Sequence, residues 1–289
     1  MPTPASATRR QRTLLNTHLD ESQIILGDAL DELPKLGADR FRCCVTSPPY
    51  WGLRDYDVDG QIGAEEDLFV YIDRLVDVFR EVRRVLTDDG TLWLNIGDSY
   101  TSGNRRWRAT DKKNPARAMS YRPPTPEGLK PKDLIGVPWR LALALQDDGW
   151  YLRSDIIWHK PNTQPESVKD RPTRAHEYLF LFSKSEKYHY DHAAIQEPAI
   201  GEEGWRNRRT VWSINTEAFP EAHFATFPSA LVAPCILAGS ATGDSVLDPF
   251  FGSGTVGAVS VNHQRKFVGI ELNPEYVEIA ERRLGWKAP

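Results

Sequence analysis

Two short runs of this 289-residue chain hold residue types whose spacing could do chemistry. The first is Asp248-Pro249-Phe250-Phe251-Gly252-Ser253-Gly254-Thr255, between an apolar run and a helical pattern. Glycines there permit a tight turn and close backbone approach to a ligand. Glu271 ends the next apolar run, seventeen residues beyond Gly254. A carboxylate at that place can accept both hydroxyl protons of a ribose. The logic is that of a nucleotide-cofactor site. Gly252, Gly254 and Gly257 also satisfy G-x-G-x-x-G, so a dinucleotide site and a purely structural turn stay open at this point.

The second run is Thr46-Ser47-Pro48-Pro49-Tyr50-Trp51. Two successive prolines fix φ twice and remove two N–H donors. Pro48 also pushes Ser47 toward extended geometry. The expected result is a stiff turn that displays a hydroxyl, unpaired carbonyls and an aromatic face. It could cap a strand, or it could line a pocket for a flat polar ligand.

The elements that must position these runs follow from hydrophobic period. Short apolar runs at 24–26, 41–46, 91–96, 155–158, 178–182, 245–248 and 266–270 read as buried strands. From Asp67 to Leu86 apolar residues recur at three and four, and Asp88-Asp89-Gly90 reads as the turn that ends this helix. A second helical pattern runs from Asp133 to Gln146, and a last one from Asn273 as N-cap, with Pro274 first, to Gly285. The alternation implies an α/β fold with a mostly parallel, doubly wound sheet covered on both faces. Ligands in such folds sit beyond the carboxyl ends of the strands, where both runs fall.

Composition narrows the class. The charged fraction of 26% and apolar fraction of 40% are those of a soluble globular protein. No apolar run is long enough for a membrane span, and MPTPASATRRQR has no apolar stretch after its basic residues, as a secretory signal would. Cys43, Cys44 and Cys235 lack C-x-x-C spacing, which points to a reducing, cytoplasmic setting and to no metal framework. Tyr188-His189-Tyr190-Asp191-His192 has no companion cluster and reads as a polar patch; Pro234-Cys235 lies in an apolar helical pattern and reads as core.

The net charge of −4 is unevenly spread. Residues 102–132 hold nine Lys and Arg against Asp111 and Glu127, a local +7 that leaves −11 for the remainder. The segment reads as a long surface loop, and its basic residues with Trp107 and Tyr121 suit phosphate contact and base stacking. Arg105, Arg106, Arg108, Lys112, Lys113 and Arg117 are the candidate DNA contacts. Smaller basic groups follow at Lys169, Arg171 and Arg174, and at Arg206, Arg208 and Arg209 beside Trp205. A solvated linker is the bland alternative.

Taken together, the two runs resemble those of amino-group DNA methyltransferases that use S-adenosylmethionine. The order, with Ser-Pro-Pro-Tyr before Phe-x-Gly-x-Gly-Thr, resembles the beta class, a circular permutation of the motifs. The match covers most of the chain. Ile25-Leu26-Gly27-Asp28-Ala29-Leu30, Asp155 to Asn162, His176-Glu177-Tyr178 and Ala225-Thr226-Phe227-Pro228 resemble further family segments.

The resemblance implies a Rossmann-like methyltransferase fold and a single catalytic domain over 1–289. Within it, 102–132 would be a basic insertion and 162–209 a candidate target-recognition region. It implies Ser47, Pro48, Pro49 and Tyr50 as the catalytic turn, with Ser47 Oγ and the Pro48 carbonyl accepting the amino hydrogens. Tyr50 would stack on a flipped base, with Trp51 the weaker candidate. Phe250, Gly252, Gly254 and Thr255 would surround S-adenosylmethionine and Glu271 would hold its ribose. Asp248 would organise the loop, and Thr226, Phe227 and Ser229 would border the methionine carboxylate. Asp28 would contact the adenine end, although a Gly-Asp pair is also a common helix N-cap. Ser-Pro-Pro-Tyr leans toward cytosine-N4 in this family, with adenine-N6 the alternative. A protein or RNA acceptor and an NAD-dependent oxidoreductase are the readings from other classes. Double-stranded DNA is the expected partner. No membrane is expected, and a homodimer and a cognate restriction endonuclease are left open.

Overall fold

The computed structural model describes residues 21–52, 58, 60–101, 123–199, 201, 203–217 and 227–286. Its strands are β1 (Gln23–Leu26), β2 (Phe41–Thr46), β3 (Leu86–Ile96), β4 (Tyr151–His159), β5 (His176–Ser183), β6 (Glu197–Pro198), β7 (Trp205–Arg206), β8 (Val211–Ser213), β9 (Ser245–Asp248) and β10 (Lys266–Glu271). Its helices are α1 (Ala29–Glu32), α2 (Leu68–Val85), α3 (Val137–Asp147), α4 (Ser229–Gly239), α5 (Thr255–Asn262) and α6 (Pro274–Leu284). Eight strands form one sheet in the order β1-β10-β9-β2-β3-β5-β4-β8, and β6 pairs with β7 apart from it. Within this sheet β5 runs against the rest: it is antiparallel to β3 and to β4, while the other pairings are parallel.

Side chains alternate across the sheet as a period of two requires. Phe41, Cys44, Leu92, Leu94, Phe180, Phe182 and Leu247 join the core under α2 and α3. Cys43, Val45, Trp93, Leu179, Leu181 and Val246 join the core under α4 and α5. Both faces are therefore dry, and the doubly wound expectation holds. Helix α2 buries nine residues on one side, and the Asp67 carboxylate caps its start by accepting from Phe69 N and Val70 N. Helix α4 is apolar nearly all round because it lies tight on the sheet. A Cβ added at Gly239 would come within 2.8 Å of Cys43 Sγ and Thr91 Oγ1. No helix among the described residues is long and apolar enough to cross a membrane.

Two boundaries differ from the sequence expectation. Asp88-Asp89-Gly90 does not form a turn: it lies inside β3, where the pairing with β2 shifts between Phe41 and Cys43. Helix α3 begins at Val137, not Asp133. The Asp133 carboxylate instead accepts from Lys130 N, and the start of α3 is capped from a distance by Asp98, which accepts from Gly136 N at 3.0 Å and Val137 N at 3.1 Å. The buried strand expected at 178–182 is present as β5, whose Phe180 and Phe182 are fully buried.

Candidate active site

The two chemically suggestive runs, two hundred residues apart, meet at neighbouring strand ends. β2 and β9 pair side by side, with Cys43 opposite Val246 and Cys44 opposite Leu247. At their carboxyl ends Thr46 Oγ1 donates to Asp248 Oδ1 at 2.7 Å, and the same oxygen accepts from Phe250 N at 3.1 Å. Asp248 thus ties the glycine loop to the catalytic strand. Burial pushes its carboxyl up to about 7, against the pull of those two hydrogen bonds and with help from the Glu271 charge.

A testable consequence follows from the sign of that shift. The folded chain holds a proton on Asp248 at pH values where the unfolded chain has released it. Asp248 therefore subtracts stability as pH climbs from about 4 to about 7, and the full cost stands above that window. Asp248→Asn keeps one oxygen to accept from Thr46 and Phe250 and removes the charge. Its stability gain over the unaltered chain should be ~2 kcal/mol larger at pH 8 than at pH 5, read from urea unfolding midpoints. A gain that does not change with pH would contradict the buried charge.

The glycine loop is shaped by its backbone. Gly252 and Gly254 hold φ of +51° and +78°. Gly254 is the N-cap of α5, and a Cβ there would lie 2.9 Å from that of Ala280. Glu271 anchors the loop from the next strand end: Oε2 accepts from Gly252 N at 2.7 Å and Oε1 from Asn273 N at 2.8 Å. Burial raises its carboxyl, and these backbone bonds oppose the rise. Thr255 Oγ1 accepts from Arg283 Nη1 at 2.8 Å. On the far side of β10, Asp28 Oδ1 caps α1 by accepting from Leu30 N.

Between these elements lies a cavity of about 210 Å³. One half is walled by Asp28, Phe250, Gly252, Thr255, Glu271 and Phe227, together with Ile270, Leu272, Asn273 and Tyr276. A strand-end carboxylate, flat apolar walls and a glycine at the turn of the loop suit a nucleoside with vicinal hydroxyls, so the residues fit S-adenosylmethionine. The other half is walled by Ser47, Pro48, Pro49 and Tyr50, with Asn95, Trp158, Lys160 and Glu177. All four residues of the expected catalytic turn therefore share one cavity with six of the eight expected cofactor residues. Asp248 and Gly254 stand behind the wall and shape it.

Some expectations change at this level. The Pro49 carbonyl is taken, since Tyr71 Oη donates to it at 2.8 Å. Trp51 is no stacking surface: it is 5% exposed, and its indole donates to the Glu65 carbonyl to pin the following loop. Of the arginines near Trp205, Arg206 and Arg209 both pair with Glu197, and Arg208 lies over the Trp212 ring at 4.4 Å. Cys235 is buried in α4, and its thiol is pushed well up by burial and by Cys43. Arg105, Arg106, Arg108, Lys112, Lys113, Arg117, Trp107, Tyr121 and Thr226 lie outside the described residues.

Sequence reading assigned no role to Asn95, Lys160 and Glu177. The signal was there in Trp158-His159-Lys160 and His176-Glu177-Tyr178, but only the reversal of β5 gives it meaning. Because β5 runs backwards, its first residues reach the same edge as the last residues of β3 and β4. Glu177 there accepts from Tyr50 Oη at 2.8 Å and from Asn95 Nδ2 at 3.1 Å, and it pairs with Lys160.

Comparison with known proteins agrees with this geometry. Residues 41–282 match a family described as DNA methylase, covering the N6 and N4 amino-group enzymes. The type II methyltransferase M.Cfr9I of Citrobacter freundii is 65% identical over 266 residues, 92% of this chain and 88% of that protein. M.SmaI of Serratia marcescens is 64% identical over 271 residues, 93% of each chain. Among solved structures, the cytosine-N4-specific PvuII DNA methyltransferase superposes with a TM-score of 0.68 at 22% identity, covering 90% of this chain and 85% of its own. A putative DNA modification methylase of Thermus thermophilus, solved with S-adenosyl-L-methionine, gives 0.63 at 24% identity, covering 91% and 93%. These matches displace the dinucleotide oxidoreductase reading. The chain belongs to the N6/N4 DNA methylase family and is an S-adenosylmethionine-dependent DNA methyltransferase of the beta class.

Proposed function

We propose that the chain methylates the N4 amino group of cytosine in duplex DNA, with the base turned out of the helix into the cavity. What carries the reading is Ser47 on the wall of the cavity, ahead of Pro48 and Tyr50, in the same cavity that Glu271 and Phe250 line. A base inside a duplex is out of reach of a site lying between strand ends and must be extruded.

The exocyclic amino group is a poor nucleophile because its lone pair is delocalised into the ring. Two acceptors on its hydrogens, Ser47 Oγ and the Pro48 carbonyl, favour a more tetrahedral nitrogen and free that pair. S-adenosylmethionine supplies an activated methyl group on a sulfonium. Positioning and electrostatics then carry the rate. The nitrogen that gains the methyl group bears a positive charge until it loses one proton, and the same acceptors face that charge. Tyr50 offers a stacking surface worth ~1–3 kcal/mol. Glu271 would accept from the ribose, Asp28 would meet the adenine end, and Phe250, Gly252, Thr255 and Phe227 would enclose the remainder. Incubation of DNA with labelled cofactor, digestion to nucleosides and chromatography tests the acceptor directly. Label on N4-methylcytosine is expected, and label on N6-methyladenine would replace this reading with the adenine one.

The basic segment is the proposed DNA clamp. Its ends are tied together: Tyr100 bridges Leu134, and Thr101 N donates to the Asp133 carbonyl at 2.9 Å. Pro123 abuts Gly52, just past the catalytic turn; a Cβ at Gly52 would lie 2.8 Å from it. Replacing Arg105, Arg106 and Arg108 with glutamine should weaken DNA binding and lower the slope of log affinity against log salt by up to about 3. An unchanged slope would show that these side chains do not meet phosphate.

A further inference from the structure

Glu177, Lys160 and Asn95 have no part in the chemistry set out above, yet four elements converge to join them to Tyr50 in one cluster. Tyr50 follows β2, Asn95 lies in β3, Lys160 follows β4 and Glu177 opens β5. Glu177 Oε2 receives two donors, Tyr50 Oη at 2.8 Å and Asn95 Nδ2 at 3.1 Å, while Oε1 takes the Lys160 ammonium. Asn95 is itself fixed, since its Nδ2 also donates to the Tyr178 carbonyl at 3.1 Å. Lys160 lies over the Trp158 ring at 4.1 Å. Behind the pair stands Gly97, where a Cβ would fall 2.7 Å from Tyr50 Cε2 and 3.3 Å from Glu177 Cδ. The Tyr50 ring is therefore backed by bare backbone on one edge and held at its hydroxyl.

We propose that Glu177 is a positioning residue for the acceptor base, acting through the Tyr50 hydroxyl to set the plane of the ring on which the base stacks. The inference rests on the reading of Tyr50 as that stacking surface. A carboxylate inside a half-buried ion pair is a poor source of stability, because desolvation offsets most of the attraction. Its three filled acceptor positions also suit it badly for taking a proton from the substrate. What it does supply is a fixed orientation. Tyr50 needs that, because a phenol ring on a two-proline turn is otherwise free to rotate about its last torsion. The low carboxyl of Glu177 fits the role: burial would raise it, but Lys160 and the hydrogen bonds from Lys160, Tyr50 and Asn95 hold it below the ordinary value. The acceptor is thus ionised wherever the enzyme works.

The experiment is a double-mutant cycle on methyl transfer to plasmid DNA with tritiated S-adenosylmethionine, using Tyr50→Phe, Glu177→Ala and the double variant. Misplacing a reacting group by an ångström costs up to about 100-fold, so each single change should lower kcat by roughly 10- to 100-fold. KM for S-adenosylmethionine should stay within about twofold, because neither residue walls the cofactor half. The double variant should be no slower than the slower single one, because Glu177 acts through the hydroxyl that Tyr50→Phe removes. Multiplicative losses would overturn the proposal, since Glu177 would then act by another route. Equal losses in kcat and cofactor affinity would overturn it too, as they would mark general disruption of the site. Should Glu177→Ala fail to fold, Glu177→Gln completes the cycle, and its loss must likewise vanish in the Tyr50→Phe background. Identifying the labelled base in the unaltered enzyme first keeps this test separate. A label on adenine would change the acceptor without touching the cycle, whereas an activity unaffected by Tyr50→Ala would remove the stacking role itself.

Discussion

Ser47→Ala should lower single-turnover methyl transfer by roughly 100- to 1000-fold, the usual cost of removing one preorganised group from a site of developing charge. The argument starts from the backbone. Thr46 closes β2 and is locked to Asp248, so the next residue leaves the sheet in a fixed direction. Pro48 and Pro49 then stiffen the turn, and Tyr71 secures it from α2 by donating to the Pro49 carbonyl. The Ser47 hydroxyl is therefore carried on a frame that costs little to hold during reaction. Alanine keeps that frame and deletes only the oxygen. The amino hydrogen that Ser47 would have bonded loses its acceptor, the Pro48 carbonyl serves only the other hydrogen, and the nitrogen lone pair stays in the ring. Cofactor affinity, measured by calorimetry, should change by less than about twofold, since a mutation felt only in the transition state leaves ground-state binding intact. Methyl transfer within about threefold of the unaltered enzyme would remove Ser47 from the mechanism.

The two halves of the cavity were not equally legible in the sequence. Most of the residues proposed for the cofactor half stand close together in the sequence, because that half is local. Strand, glycine turn and helix follow one another in 245–262, and the partner carboxylate closes the next strand. The catalytic turn was legible for the same reason: Ser47, Pro48, Pro49 and Tyr50 are contiguous. That the two runs would touch follows from parallel topology, but the bond from Thr46 to Asp248 needed the actual neighbourhood of β2 and β9. The residues that escaped are those whose meaning depends on strand direction. Glu177 looks like any strand-start acid until β5 is seen to run backwards and bring it to Asn95 and Lys160.

Local sequence misled where exposure mattered. Trp51 and Tyr50 are adjacent aromatics on the same turn, and nothing in their order says that one faces the cavity while the other is core. Asp98 is the same kind of case. It caps a helix whose start lies 39 residues on, so no local capping pattern could announce it. Burial raises its carboxyl, and the Arg174 guanidinium at 3.8 Å opposes the rise. The arginine cluster at 206–209 shows the reverse error. Its charge looked available, but Glu197 takes two of the three guanidinium groups.

Glu271→Ala should weaken S-adenosylmethionine binding by ~10- to 100-fold, the range expected when charge-assisted hydrogen bonds worth about 1.5–3 kcal/mol are lost. Two effects combine in that loss, and they can be separated. The carboxylate lies on the cavity wall as the proposed ribose acceptor, and it is also the clamp that receives Gly252 N and Asn273 N. Removing it leaves both backbone donors without their acceptor and loosens the loop around every part of the cofactor. A pair of ligands distinguishes the contributions: S-adenosylhomocysteine and its 2′-deoxyribose analogue. In the unaltered protein the missing hydroxyl should cost affinity, because Glu271 then lacks its donor. In Glu271→Ala the two ligands should bind alike, because no carboxylate is left to notice the difference. If the analogue still binds more weakly to the variant by the original factor, the ribose is held elsewhere and Glu271 serves the loop alone. DNA affinity should move less than cofactor affinity in either case, because Glu271 faces the half of the cavity away from Ser47 and Tyr50.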